Sequence, residues 1–130
     1  MSLRLFASAL VVSSFSIGSA QAQDASADGQ RLFQQRCGTC HSVQPGQTRV
    51  GPNLSGVFGR KAGTVEGARY SDALKNAGIV WSDETLNAYL DDPRKLVPNT
   101  TMTISLRDQT QRGAIVAYLR GLSSQTPAAQ

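Results

Sequence analysis

The reactive side chains of this 130-residue sequence are concentrated in one stretch of five residues, Cys37-Gly-Thr-Cys-His41. The stretch holds both cysteines and the only histidine of the chain. On a helix, positions i, i+3 and i+4 share one face, so Cys37, Cys40 and His41 can point the same way. Two thiols one turn apart can form thioether bonds to the vinyl groups of a haem, and the neighbouring imidazole can bind its iron. The spacing is typical of this c-type haem attachment.

Three other sites compete for the same residues. A thioredoxin-like redox pair should follow a strand, and nothing before Cys37 has a strand pattern. A structural zinc site takes four ligands, so a carboxylate would have to complete this set. A disulfide between Cys37 and Cys40 is the ordinary expectation for an exported protein, but it would close a very short loop and leave His41 unused. The sequence favours haem over these alternatives.

A second ligand for the iron follows by elimination. The chain has no other histidine or cysteine, and Met102 is its only methionine besides Met1. Met102 stands in a polar loop rather than in an apolar stripe, and a thioether ligand favours reduced iron. Lysine remains an alternative, with three candidates: Lys61, Lys75 and Lys95.

A proline-containing loop, Gly51-Pro-Asn-Leu54, follows the motif. A metal-bound histidine normally donates its second ring N–H to an outer acceptor, which sets the orientation of the ring. The backbone carbonyl of Pro52, held by the locked φ of proline, suits that role.

The first 22 residues differ in character from the rest. A positively charged start, Met1 to Arg4, precedes an uncharged run of apolar and small residues from Leu5 to Gly18. Ala20 and Ala22 supply small residues where a signal peptidase cleaves. The apolar run is shorter than a bilayer crossing requires. We therefore predict a cleaved signal peptide, residues 1–22, and export to the periplasm, which implies a Gram-negative bacterium; an uncleaved membrane anchor is the alternative.

The rest of the chain, residues 23–130, is predicted to be a single domain without a membrane span. The full chain has 13 basic and 9 acidic residues and a net charge of +4. The basic residues are scattered rather than gathered in a patch, which argues against a nucleic-acid partner.

Short helices joined by long loops are predicted, so the fold class is all-α. After a loose terminus at 23–27, helices are expected to start at four N-cap residues: Asp28, Ser71, Ser82 and Asp108. The second should end before Gly78, a C-cap glycine, and the third at Pro93. The last should bury Ile115, Tyr118, Leu119 and Leu122 and give way to a polar tail at Ser123. Long loops need something to organise them, and a bulky buried ligand would do so.

In these residues and their order, the chain resembles the class I cytochromes c of mitochondria and bacteria. The matching segments are Gly29 and Phe33, Cys37–His41, Gly51–Leu54, Phe58–Lys61, Tyr70–Ala73, Gly78–Trp81, Thr85–Leu86, Tyr89–Leu90, Pro93–Lys95, Pro98–Met102 and Ala117–Leu119. They span the core, residues 28–121. At three positions this chain has a residue other than the one often found in the family: Leu74, Asn99 and Thr101. Thr101 replaces a frequent lysine, which thins the ring of basic residues at the exposed haem edge.

The resemblance implies one haem c, with the chain wrapped around it and the first and last helices crossing. Cys37 and Cys40 would carry the thioethers, and His41 and Met102 would bind the iron. The Pro52 carbonyl would accept from His41, and Tyr89 would lie over the haem near the Met102 sulfur. The haem propionates would be held by Arg60, Tyr70, Trp81 and Thr100. Gly29 and Phe33 would pack against Tyr118 and Leu119 at the crossing.

The resemblance further implies an electron-transfer protein rather than an enzyme. A monomeric periplasmic one-electron carrier would dock transiently, at its exposed haem edge, with a membrane oxidase or reductase or a periplasmic dehydrogenase. A haem subunit of a periplasmic oxidoreductase complex is the alternative. A third hypothesis is an open-site enzyme or gas sensor in which Met102 does not bind the iron.

Overall fold

The computed structural model describes residues 20–125, with side chains described from Ala27 onward, and contains five helices. These are α1 (Ala20–Arg36), α2 (Asp72–Lys75), α3 (Asp83–Asp91), α4 (Pro93–Leu96) and α5 (Gln109–Gln125). Within the described part, β-pairing is limited to one isolated antiparallel bridge between Lys61 and Val80. The predicted all-α class is confirmed. Most of the predicted signal peptide, residues 1–19, lies outside the described residues.

The first and last helices cross at a glycine. Phe33 of α1 is 1% exposed, and its ring centroid lies 5.7 Å from that of Tyr118 on α5. A Cβ on Gly29 would lie 2.8 Å from the Cβ of Tyr118 and closer still to the carbonyl oxygen of Ala114. The absence of a side chain at Gly29 therefore lets the two helix backbones approach closely. The predicted crossing, with Leu119 also buried, is confirmed.

Three predicted N-caps are confirmed by their hydrogen bonds. The Ser71 side chain accepts from the backbone N–H of Leu74 and begins α2. At α3, Ser82 and Thr85 form a reciprocal capping box, each side chain accepting from the backbone N–H of the other. At the start of α5, the Asp108 carboxylate accepts from the backbone N–H of Gln111 at 3.0 Å. Polar residues at these positions satisfy N–H groups that the helix itself leaves unpaired.

Three other predicted boundaries were wrong: the start of α1, the C-cap of α2 and the end of α5. Helix α1 already includes residues 20–27, which are mostly alanine and glutamine and favour helix, so Asp28 pairs with Arg31 inside it instead of capping it. Helix α2 ends before Gly78, as expected, but its C-cap is Asn76 instead of that glycine. Pro93 ends α3 but also starts α4, where its missing N–H costs nothing. Helix α5 extends past Ser123 to Gln125, into the predicted polar tail.

No helix within residues 20–125 has both the length and the hydropathy needed to cross a bilayer. The long loops between α1 and α2 and between α4 and α5 pack against the helices around a shared cavity.

Candidate functional site

One cavity of about 440 Å³ lies between the helices and the long loops, and its exposed wall is mainly apolar. All ten residues singled out from the sequence line it: Cys37, Cys40, His41, Pro52, Arg60, Tyr70, Trp81, Tyr89, Thr100 and Met102. They come from positions up to 65 residues apart in the chain. The tertiary structure thus brings the two thiols, the imidazole and the thioether to one space.

The Cys-x-x-Cys-His motif begins where α1 ends. Helix α1 stops at Arg36, and the next four residues form a turn that retains helical bonds: Cys37 N–H to Phe33 and His41 N–H to Cys37, at 2.8 and 2.9 Å. The side chain of Arg49 donates to the Gly38 carbonyl from the facing loop. The expected helical arrangement of the motif is therefore kept, although the motif lies just past the helix.

Both cysteines are free thiols in the structure. Cys37 is half-buried and Cys40 is exposed. Burial, and to a smaller extent the neighbouring Cys40, raises the pKa of Cys37 to about 11, so this thiol stays protonated at neutral pH. Helix α1, not a strand, leads into the motif, which is not the context of a thioredoxin-like pair.

The orientation of His41 is set from one side. Its Nδ1 lies 2.8 Å from the carbonyl oxygen of Pro52. Because a carbonyl can only accept, Nδ1 carries a proton, which leaves Nε2 as the ring nitrogen that could bind a metal. A Cβ on Gly51 would come within 2.5 Å of the imidazole Cε1, so the ring lies directly against the glycine backbone.

The loop that presents Pro52 is held by a buried amide. The Asn53 side chain donates to the carbonyls of Gln44 and Gln47 at 2.6 and 2.7 Å, and its oxygen accepts from the Ser55 N–H at 2.8 Å. Backbone bonds from Gly51 to Cys40 and from Leu54 to Ser42 tie the same loop to the motif. Burying an amide requires such partners, and here they stiffen the His41 side of the cavity.

Met102 lies in the loop between α4 and α5 and lines the same cavity. Tyr89 of α3 is buried, and its hydroxyl lies 2.7 Å from that of Thr100, two residues before Met102. Burial raises the pKa of Tyr89, and the hydrogen bond with Thr100 opposes that rise. The Met102 side chain is half-buried and packs against the core.

The four residues that the resemblance assigns to propionates share the cavity but differ in their partners. Arg60 donates to the backbone carbonyls of Asn53 and Ser55 at 2.8 and 3.0 Å, and burial lowers its pKa. The Tyr70 hydroxyl accepts from the backbone N–H of Val65 at 3.3 Å. Trp81 is buried with its ring 5.2 Å from that of Tyr89. The Arg60 guanidinium therefore lies in the cavity wall against the backbone of residues 53–55.

Sequence reasoning did not predict which aliphatic residues line the cavity. They include Leu54, Val57, Leu74, Leu86, Leu106, Ile115 and Leu119. Several have the spacing of a buried helix face, but that pattern does not distinguish a side chain packed on protein from one packed on a ligand. Leu74, noted as a departure from the family, extends this apolar lining.

The donor set and the wall together fit a haem. Two thiols near the end of α1 suit covalent attachment, the imidazole and the thioether suit iron, and the aliphatic walls suit a flat apolar macrocycle. A disulfide or a zinc site would leave the cavity and Met102 without a role.

Comparison with known proteins places this site in context. The family model described as Cytochrome c matches residues 26–123. Cytochrome c of Euglena viridis is 48% identical over 95 residues, which are 72% of this chain and 93% of that protein. Cytochrome c2 of Blastochloris viridis is 43% identical over 113 residues, 85% of this chain and 87% of that protein. Cytochrome c2 iso-2 of Magnetospirillum fulvum is 42% identical over 87 residues, 66% of this chain and 91% of that protein.

Proposed function

The chain belongs to the cytochrome c family, and from that premise we propose that it is a periplasmic one-electron carrier whose iron is bound by His41 and Met102. As a family member it carries covalently attached haem c with iron, and it is an electron carrier and not an enzyme. The proposal concerns four points: the residues that attach the haem, the iron ligands, the compartment and the partners.

One observation carries the assignment of residues: the cavity is lined by both cysteines, by the only histidine and by Met102. In this proposal Cys37 and Cys40 hold the haem through thioether bonds. His41 and Met102 would be the two protein ligands of the iron. None of the three lysines considered as alternatives lines the cavity, which favours Met102 over lysine.

When bound, the haem supplies a one-electron couple. The chain's own residues set its surroundings. Pro52 holds His41 in one tautomer and one orientation, which limits the rearrangement that accompanies a change of charge. The aliphatic residues exclude water from the cavity, and Arg60 places a positive charge in the cavity wall. With both His41 and Met102 as ligands, the iron would have no position left for a substrate, which fits a carrier.

Exposed residues at the cavity rim form the proposed docking surface. Val50 is 80% exposed and Ile104 54% exposed, and both line the cavity. Arg36 and Arg69 add positive charge at the same rim. Such a surface suits a brief, salt-sensitive encounter with a redox protein that presents acidic groups.

The periplasmic location rests on the predicted signal peptide, residues 1–22, and on bacterial cytochromes c2 among the relatives. Relatives also include eukaryotic cytochromes c, such as that of Euglena viridis, so the N-terminal segment is the part to test.

The test is expression of the full chain with haem-maturation machinery in a Gram-negative host. Intact mass of the periplasmic protein should equal residues 23–130 plus one haem. The oxidised protein should show a weak band at the red end of the spectrum, and carbon monoxide should leave the reduced spectrum unchanged. Met102→Ala should lose the red band and bind carbon monoxide. Thr103→Ala should keep the band and not bind carbon monoxide. An unmodified polypeptide mass, or prompt carbon monoxide binding by the wild type, would refute the proposal.

A further inference from the structure

The chain segment that carries Met102 has no hydrogen bonds of its own. Within the described chain, residues 101–105 neither donate nor accept a hydrogen bond to protein, whereas Thr100 and Leu106 on either side do. The position of the Met102 sulfur is therefore set by the two ends of the segment. At the first end, Thr100 bonds to Tyr89 and, through its backbone, to Val97.

The second end is held by Arg112, in the first turn of α5. Its Nη1 lies 2.7 Å from the Leu106 carbonyl, 2.8 Å from the Arg107 carbonyl and 3.0 Å from Oδ1 of Asp91, the last residue of α3. The Arg112 side chain is only 13% exposed. The same end is tied to α3 by the Leu106 N–H, which donates to the Leu90 carbonyl at 2.7 Å.

The Arg112 contacts are strong, but they leave another donor of the same side chain unpaired. Hydrogen bonds from a charged guanidinium are about twice as strong as neutral ones, and the pairing with Asp91 compensates the burial of its charge. Yet the Arg112 Nε is buried without a partner, the one such side-chain polar atom in the part of the chain that the structure describes. The side chain is therefore directed toward the two carbonyls although another of its donors is left unpaired.

We propose that Arg112 is a positioning residue for Met102: by fixing Leu106 and Arg107 to α3 and α5, it keeps the thioether at the iron. The inference rests on the proposed function, since it requires Met102 to be the ligand. Loosening this end lets the segment swing away, and a competing ligand can then replace the thioether more easily. Loss of Arg112 should therefore raise the affinity of the oxidised protein for added imidazole.

Arg120 provides a matched control. It lies on the same helix and also forms an ion pair with α3, at Asp83, while its guanidinium carbon lies 5.7 Å from the Phe58 ring centroid. None of its contacts reaches residues 97–107. Arg120→Gln thus removes an α5–α3 ion pair without releasing the segment that carries Met102.

The experiment is an imidazole titration of the oxidised holoprotein, with the free energy of unfolding measured beside it. Arg112→Gln should bind imidazole about tenfold more tightly, a change of about 1.4 kcal/mol, and weaken the red band. Arg112→Lys and Asp91→Asn, which each keep some of the contacts, should give intermediate increases and carry the test if Arg112→Gln does not fold. Arg120→Gln should match the wild type.

Two failures are distinguishable. If the wild type lacks the red band or its reduced form binds carbon monoxide, Met102 is not the ligand and the proposed function fails. If the wild type behaves as expected but the Arg112 and Asp91 variants bind imidazole no better than Arg120→Gln, the role of Arg112 is overturned.

Discussion

Replacing Gly29 by alanine tests the crossing of α1 and α5. A Cβ at this position would lie 2.8 Å from the Cβ of Tyr118, where ordinary contact is 3.4–4 Å, and it would overlap the Ala114 carbonyl oxygen. The obstructing oxygen is backbone, so relief requires the two helices to separate rather than one side chain to rotate. Overpacking of this kind costs roughly 1–3 kcal/mol, and a backbone obstacle belongs at the upper end of that range.

Alanine also has an intrinsic advantage over glycine in a helix of about 0.8–1.0 kcal/mol. The net expectation for Gly29→Ala is therefore a loss of about 2 kcal/mol in the free energy of unfolding. A Cβ on Gly113 of α5 would meet nothing within 4 Å. Gly113→Ala should thus keep the propensity gain and stabilise the protein by about 1 kcal/mol.

Guanidinium chloride unfolding of the oxidised holoprotein, followed by far-ultraviolet circular dichroism, measures both variants. The two should differ by about 3 kcal/mol, and Gly29→Ala should lower the Tm by roughly 10 °C. Equal stabilisation of the two variants would refute the reasoning, because it would mean that the helices do not need the close approach at Gly29.

Two further predictions concern the backbone and a buried phenol. Asn99 has a φ of 68°, a left-handed conformation that asparagine tolerates and alanine does not, so Asn99→Ala should cost about 1 kcal/mol in chemical unfolding while Asn99→Gly costs less than half of that. A destabilisation equal in both variants would contradict this. Burial raises the pKa of Tyr118 above 10.0, which means that the folded state favours the neutral phenol. The stability that Tyr118 gains from this raised pKa is fully present below pH 10 and declines above it. Tyr118→Phe should therefore make the free energy of unfolding fall less steeply between pH 9 and 11. An unchanged slope would contradict this prediction.

The motif chemistry and the starts of α2, α3 and α5 were predictable from local sequence. Cys37, Cys40 and His41 are neighbours along the chain, so their shared direction follows from helical spacing alone. Ser71 and Ser82 cap helices through bonds to residues three positions away, which are equally local. Helix ends were harder: α5 continues past Ser123, because that hydroxyl bonds to the Leu119 carbonyl and does not interrupt the helix.

The assembly of the cavity was decided only by the tertiary structure. Composition singled out Met102 as a possible ligand, but its placement in the same cavity as His41 depends on contacts far apart in sequence. The bond between Tyr89 and Thr100 and the contacts from Arg112 to Leu106 and Asp91 are examples. Arg112 had no local signal, because an arginine near a helix start is ordinarily a solvated surface residue. A sequence determines which groups can do chemistry, whereas the distances between them depend on how separate helices pack.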